Sequence, residues 1–76
     1  MTPDPREDWF IRFTTMHDMP STSDILTARQ VIDREETQAA ATRTLKKLEK
    51  AGLVKSTKSG KELRWSPTKA GQEALN

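Results

Sequence analysis

The chain has 76 residues, of which 33% are hydrophobic and 32% charged, with a formal net charge of +2. That length makes one small domain, residues 1–76, and the mixture of charge signs with recurring apolar positions argues against a disordered charged tail. No apolar run reaches the roughly 18 residues of a membrane span, and the start Met1-Thr2-Pro3-Asp4-Pro5 lacks the apolar stretch of a secretion signal. With no Cys there is neither a disulfide framework nor a thiolate metal site, so a soluble, cytoplasmic protein without membrane contact is expected.

Asp4-Pro5-Arg6-Glu7 predicts the start of a first helix. Asp4 caps it, Pro5 takes a first-turn position where its missing N–H costs nothing, and Glu7 completes a capping box. Trp9, Phe13 and Met16 then fall at i, i+4 and i+7, with Phe10 and His17 alongside, an apolar stripe expected to face the core. His17 is the only histidine and stands near the helix end, where a cation suits the dipole. Alone it makes no metal site.

Met19-Pro20-Ser21-Thr22-Ser23-Asp24 reads as a loop, and Ile25-Leu26 as a very short strand or the apolar lead into a helix. Thr27-Ala28-Arg29-Gln30 has the form of a capping box and predicts the start of a short second helix, with Ala28, Val31 and Ile32 inside. Asp33-Arg34-Glu35-Glu36 breaks the apolar rhythm as a turn. Thr37 then caps a third helix over residues 37–51, with Gly52 at its C′ position. Ala41, Leu45 and Leu48 mark the buried face of that helix. A rotation of 100° per residue puts Ala39, Arg43, Lys46 and Lys50 on the opposite side, flanked by Thr42 and Lys47. Its first turn holds only small or hydrogen-bonding residues, Thr37, Gln38, Ala39, Ala40 and Thr42, which lets the backbone approach a groove closely.

Leu53-Val54-Lys55-Ser56-Thr57-Lys58 and Glu62-Leu63-Arg64-Trp65-Ser66 flank Ser59-Gly60-Lys61, the pattern of a hairpin with Gly in its turn and a basic tip. Leu63 and Trp65 alternate with Glu62 and Arg64, so one face is apolar. Thr68 caps a last short helix from Lys69 to about Leu75. The charges segregate along the chain. Residues 1–36 carry four Lys/Arg against eight Asp/Glu, whereas residues 37–69 carry nine against two. A basic second half suits an anionic partner surface, because Lys and Arg release counterions condensed on a phosphate backbone.

The order helix, helix, turn, helix, two-stranded hairpin, terminal helix is that of a winged helix-turn-helix domain. The run Thr37-Gln38-Ala39-Ala40-Ala41-Thr42-Arg43-Thr44-Leu45-Lys46-Lys47-Leu48-Glu49-Lys50-Ala51-Gly52-Leu53-Val54 resembles the recognition helix and following strand of MarR-type transcriptional regulators. Ser66-Pro67-Thr68-Lys69-Ala70-Gly71 resembles the segment that follows the wing in that group. With Leu26-Thr27 the resemblance covers about residues 25 to 75. It implies a mainly α fold with a small β-hairpin: a three-helix core, a two-stranded wing and a short C-terminal helix. The turn Asp33-Arg34-Glu35-Glu36 departs from the family, being one residue shorter and acidic. Glu35 and Glu36 are expected near the start of the third helix, where they suit its dipole and repel a phosphate. The long flanking helices through which MarR-type proteins dimerise are missing.

The function that the resemblance implies is sequence-specific binding of double-stranded DNA as a small transcriptional regulator, with the third helix in the major groove and the wing on the neighbouring backbone or minor groove. The expected site follows from side-chain chemistry. Gln38 pairs with adenine and Arg43 with guanine, Ala39 and Ala40 touch thymine methyls, and Thr42 serves a base or a phosphate. Lys46, Lys47, Lys58, Lys61 and Arg64 contact phosphates, and the amides beside Thr37 hold another. The alternative is a protein-interaction module, a homodimer or a complex with another protein, acting through Trp9, Phe10 or Phe13 of the first helix. An enzyme is not expected: there is no Cys, one His, no Gly-rich phosphate loop and no paired-carboxylate signature, and no cofactor or metal is implied.

Overall fold

The computed structural model describes residues 4–75, so the polar start Met1-Thr2-Pro3 and Asn76 lie outside the described residues. The chain runs α1 (Pro5–Met16), α2 (Thr22–Ile32), α3 (Gln38–Lys50), β1 (Val54–Ser59), β2 (Glu62–Pro67) and α4 (Lys69–Ala74). This is the expected mainly helical fold with one hairpin. None of these helices is long and apolar enough to cross a membrane.

Local chemistry accounts for most of the element ends. At α1 the Asp4 side chain accepts from the Glu7 amide (2.8 Å) and the Glu7 carboxylate accepts from the Asp4 amide (3.4 Å), the reciprocal box expected there. Thr37 Oγ1 accepts from the Ala40 amide (3.1 Å) to start α3. Beyond the end of α3, Gly52 takes φ +80°, a left-handed conformation that suits glycine.

The start of α2 differs from the expectation. Ser21, not Thr27, is its cap, and Asp24 completes the box, so the predicted loop over residues 21–24 is the helix's first turn. Two successive boxes, Ser21–Asp24 and Thr27–Gln30, compete in this stretch, and tertiary bonds favour the earlier one. Ser21 pairs antiparallel with Arg64 of β2, the Trp65 amide donates to Pro20 O (2.9 Å), and Trp65 Nε1 donates to Thr22 Oγ1 (2.8 Å). The extra strand-like contact therefore lies at Ser21 rather than at Ile25-Leu26.

Phe10, Ile11, Ile25, Ala41, Leu45, Leu48, Val54 and Trp65 form the core, with Leu26, Leu53, Leu63 and Leu75 packed against it. The buried face of α3 and the inward Trp65 are as expected. Two predicted stripes are rotated. On α1 the fully buried residues are Phe10, Ile11 and Thr14; Trp9 and Phe13 are half-buried and pack against the core as expected, and Met16, expected inside, is 77% exposed. On α2 the inward residue is Ile25, and Val31 (84%) and Ile32 (63%) face outward. Extending α2 toward its N-terminus makes Ile25 an interior position, and Val31 and Ile32 close the helix at its exposed end.

β1 and β2 pair antiparallel with Val54 opposite Pro67, Ser56 opposite Trp65 and Lys58 opposite Leu63. Residues directly opposite share a face. Lys58 therefore stands on the side of Leu63 and Trp65, and Thr57 and Arg64 on the other. Gly60 makes the turn at φ +63°.

Candidate nucleic-acid interface

The outer side of α3 carries Gln38, Ala39, Arg43, Lys46, Lys47 and Lys50, all exposed, with Ala40 and Thr42 half-buried at its flanks. Thirteen residues make α3 about 20 Å long, a rod of the width that enters a DNA major groove. Two hollows flank it. On the wing side, a cleft of about 340 Å³ is lined by Gln38, Thr42 and Lys46 of α3, by Ser21, Thr22 and Ser23 at the start of α2, and by Lys61, Glu62 and Leu63 of the wing. On the turn side, a hollow of about 360 Å³ is lined by Arg6, Asp33, Glu35, Glu36, Ala40, Arg43 and Thr44.

The predicted site residues thus divide. Gln38, Thr42, Lys46 and Lys61 come together in one cleft. Ala40 and Arg43 border the other hollow, Ala39 is exposed on α3, and Thr37 stays at the cap. Lys58, exposed near the hairpin tip, is on the Leu63 face. Among the described residues Arg43, Lys46, Lys58 and Lys61 enter no ion pair.

Two of the predicted cations have partners within the fold. Lys47 Nζ lies 2.9 Å from Glu7 Oε2 of α1, and this hydrogen bond, followed by the charge of Glu7, raises the Lys47 pKa above its ordinary 10.5. Arg64 Nη1 donates to Met19 O (3.0 Å) and its Nη2 lies 3.6 Å from Glu62, so Arg64 fastens β2 to the segment leading into α2. At the far end of α3, Glu49 Oε2 accepts from the Ser56 amide (3.2 Å) and hydroxyl (2.6 Å), which joins the helix to the root of the wing.

The turn contains a correction. Glu36 does not stand free at the start of α3: its side chain is 2% exposed and paired with Arg6 and Arg29. Its charge is met inside the fold, so the expected repulsion of a phosphate falls on the exposed Glu35 alone. Sequence reasoning also missed Ser21, Thr22 and Ser23 as lining residues. The signal was present in the box formed by Ser21 and Asp24. Among the described residues no group of three or more His, Asp or Glu is arranged to hold a metal ion.

The sequence matches no protein-family profile and no curated protein. Solved structures do match it. A structure of the DNA recognition and protein interaction domains of HOP2, a protein of homologous DNA pairing, superposes with a TM-score of 0.72 at 19% identity over 82% of this chain and 97% of that one. ZitR of Lactococcus lactis, a zinc-responsive MarR family member, superposes with a TM-score of 0.74 at 21% identity over 97% of this chain. The chain spans about half of ZitR, covering 49% of its length. Together with the helix-turn-helix of α2 and α3 and the β1–β2 hairpin, these likenesses identify the fold as a winged helix.

Proposed function

We propose that this domain binds double-stranded DNA sequence-specifically, as a small transcriptional regulator, with α3 in the major groove and the wing on the adjacent backbone or minor groove. The observation that carries this reading is the cleft shared by Gln38, Thr42 and Lys46 of α3 with Lys61 of the wing, because it joins base-reading and phosphate-binding chemistry on one surface. The unpaired cations Arg43, Lys46, Lys58 and Lys61 add to it, as does the likeness to ZitR and to the HOP2 domain. Gln38 reads adenine and Arg43 guanine, Ala39 and Ala40 meet thymine methyls, and Thr42 bonds a base or phosphate. Lys46, Lys58 and Lys61 contact phosphates, as do the amides at the start of α3 beside Thr37. Lys47 and Arg64 act chiefly through Glu7 and Met19.

The test is a fluorescence-anisotropy titration with a duplex selected by the protein from a random library and with an unselected duplex. Arg43→Ala should weaken the selected duplex by roughly 1–3 kcal/mol and flatten discrimination at one base pair. Lys61→Ala should weaken both duplexes alike and lower the salt dependence by about one charge. If neither change alters affinity at low salt, this surface is not the interface.

A second reading, docking of a protein partner, is favoured by the outward Met16, Val31 and Ile32; Trp9 and Phe13, half-buried, are already packed against the core. Phe10 drops out of it as an anchor, since it is fully buried. That reading requires a stable homodimer or heteromeric complex without DNA, which native-size measurement detects, and it requires no salt-dependent DNA shift.

A further inference from the structure

The turn between α2 and α3 holds a carboxylate for which the exposed surface has no use. The oxygens of Glu36 lie 2.8 and 2.6 Å from Arg6 Nη2 of α1, and Oε1 lies 3.6 Å from Arg29 Nε of α2, an ionic contact in which the buried Nε makes no hydrogen bond. The other amino group of Arg6, Nη1, donates to Thr44 Oγ1 in α3. Gln30 Nε2 donates to the Glu36 carbonyl (3.1 Å) and the Glu36 amide to Asp33 O (3.1 Å). Both guanidinium groups also lie over aromatic rings, Arg6 at 4.9 Å from the Phe10 centroid and Arg29 at 5.2 Å from that of Trp9. One side chain, two residues ahead of α3, is therefore connected to α1 and α2 and, through Arg6, to α3, and its cationic partners lie against rings of α1.

An ionic cluster of this kind is weak evidence for stability, because well-packed apolar side chains often replace one without loss. Its distinctive property is geometric. The hydrogen bonds from Arg6 to the Glu36 carboxylate and to Thr44 are directional, so they favour the arrangement of α1, the turn and α3 in which all of them are made. The arrangement held here is that of α3 against α1 and α2, and it decides where Gln38 and Arg43 stand relative to the wing.

We propose that Glu36 is the positioning residue of α3: acting through Arg6 and Arg29, it sets the orientation of the helix and thereby the sequence discrimination of the surface rather than its bare affinity. The proposal rests on the DNA-binding reading above. It assigns the buried acid of the turn a role in specificity although it touches no nucleotide, since a base contact depends on sub-ångström placement and a phosphate contact tolerates more.

Two variants test it. Glu36→Gln keeps the shape and removes the charge. The triple change Glu36→Leu, Arg6→Met and Arg29→Met substitutes apolar chains and keeps the test open should the single variant unfold. Residual dipolar couplings on the free proteins report the angle between α1 and α3, and titrations at fixed salt report affinity for the selected and unselected duplexes, corrected for the folded fraction. The expected result is a changed angle and a ratio of the two affinities reduced about tenfold, equal to about 1.4 kcal/mol and within the range of one bidentate base contact. Affinity for the unselected duplex should stay within about twofold. An unchanged angle, an unchanged ratio in folded variants, or equal loss on both duplexes overturns the positioning role while wild-type binding leaves the function standing. A wild-type protein that binds neither duplex at low salt overturns both.

Discussion

In the first turn of α2, Asp24 accepts a hydrogen bond from the Ser21 amide (3.1 Å), and its own amide donates to Ser21 Oγ at 3.1 Å. The bonds with the Ser21 backbone and side chain, and then the positive charge of Arg64, hold the Asp24 pKa below its ordinary 3.8. A carboxyl group depressed in this way binds protons more weakly in the folded chain than in the unfolded one. Its contribution to stability is thus fully present above pH 3.8 and is lost as the pH falls through the lowered value. Asp24→Asn removes that contribution. Thermal unfolding followed between about pH 2 and 6 should show a shallower acid limb for the variant than for the parent, with the gap narrowing in salt because the group is exposed. Superimposable curves would mean that the box at Ser21 adds nothing through its charge.

Among the elements, α4 is placed by backbone contacts that leave little room for change. Thr68 Oγ1 accepts from the Gly71 amide (3.0 Å) and donates to Gly52 O (2.5 Å), while the Thr68 amide donates to Leu53 O (3.1 Å). A Cβ at Gly71 would lie 1.9 Å from Leu53 O, which is backbone and cannot swing aside. Gly71→Ala therefore has to lift α4 away from the chain that links α3 to β1, at a cost of at least the roughly 1–3 kcal/mol typical of overpacking. At Gly60, where φ is +63° and a Cβ meets nothing within 4 Å, Gly60→Ala should cost only the left-handed strain of about 1–2 kcal/mol. Urea midpoints of the two variants measure the difference, and equal shifts would contradict it. The same contrast between local and distant causes explains what was legible in the sequence. The limits of α3, its buried Ala41, Leu45 and Leu48, and the hairpin around Gly60 all follow from neighbours within a few residues, namely a cap, one helical period and a turn glycine. The start of α2 and the inward face of α1 do not. They depend on Trp65 reaching Thr22 and on the packing of Phe10 and Ile11 at the centre of the core with Met16 outside it, contacts made across the chain. In the same way the exposed cations of α3 were readable from its period, but the pairing of Lys47 with Glu7, of Arg64 with Met19 O and of Glu36 with two arginines was not.

Over the whole molecule the net charge of +2 conceals an uneven use of charge. Several acids of the first half are occupied within the fold: Glu36 by Arg6 and Arg29, Asp8 by Arg12, Glu7 by Lys47, and Asp4 and Asp24 in capping boxes. Among the described residues Arg43, Lys46, Lys50, Lys55, Lys58 and Lys61 of α3 and the wing enter no ion pair, and outside those elements Arg34 and Lys69 enter none either. Counterion release turns this division into a measurable slope, since each phosphate neutralised contributes about −0.9 to the change of log K with log salt. Lys47 is the discriminating case, because it sits on the same helix as Lys46 yet is bonded to α1. Its raised pKa means that the stabilisation from Glu7 is fully present below pH 10.5 and is lost only as the pH rises through the higher value, so the pair is intact near neutrality. At pH 7, Lys47→Ala should then leave the slope nearly unchanged, whereas Glu7→Gln should free Lys47, steepen the slope by up to about 0.9 and raise affinity at low salt. A slope lowered as much by Lys47→Ala as by Lys61→Ala would show that the ion pair opens on binding and that α1 yields this cation to the phosphate backbone.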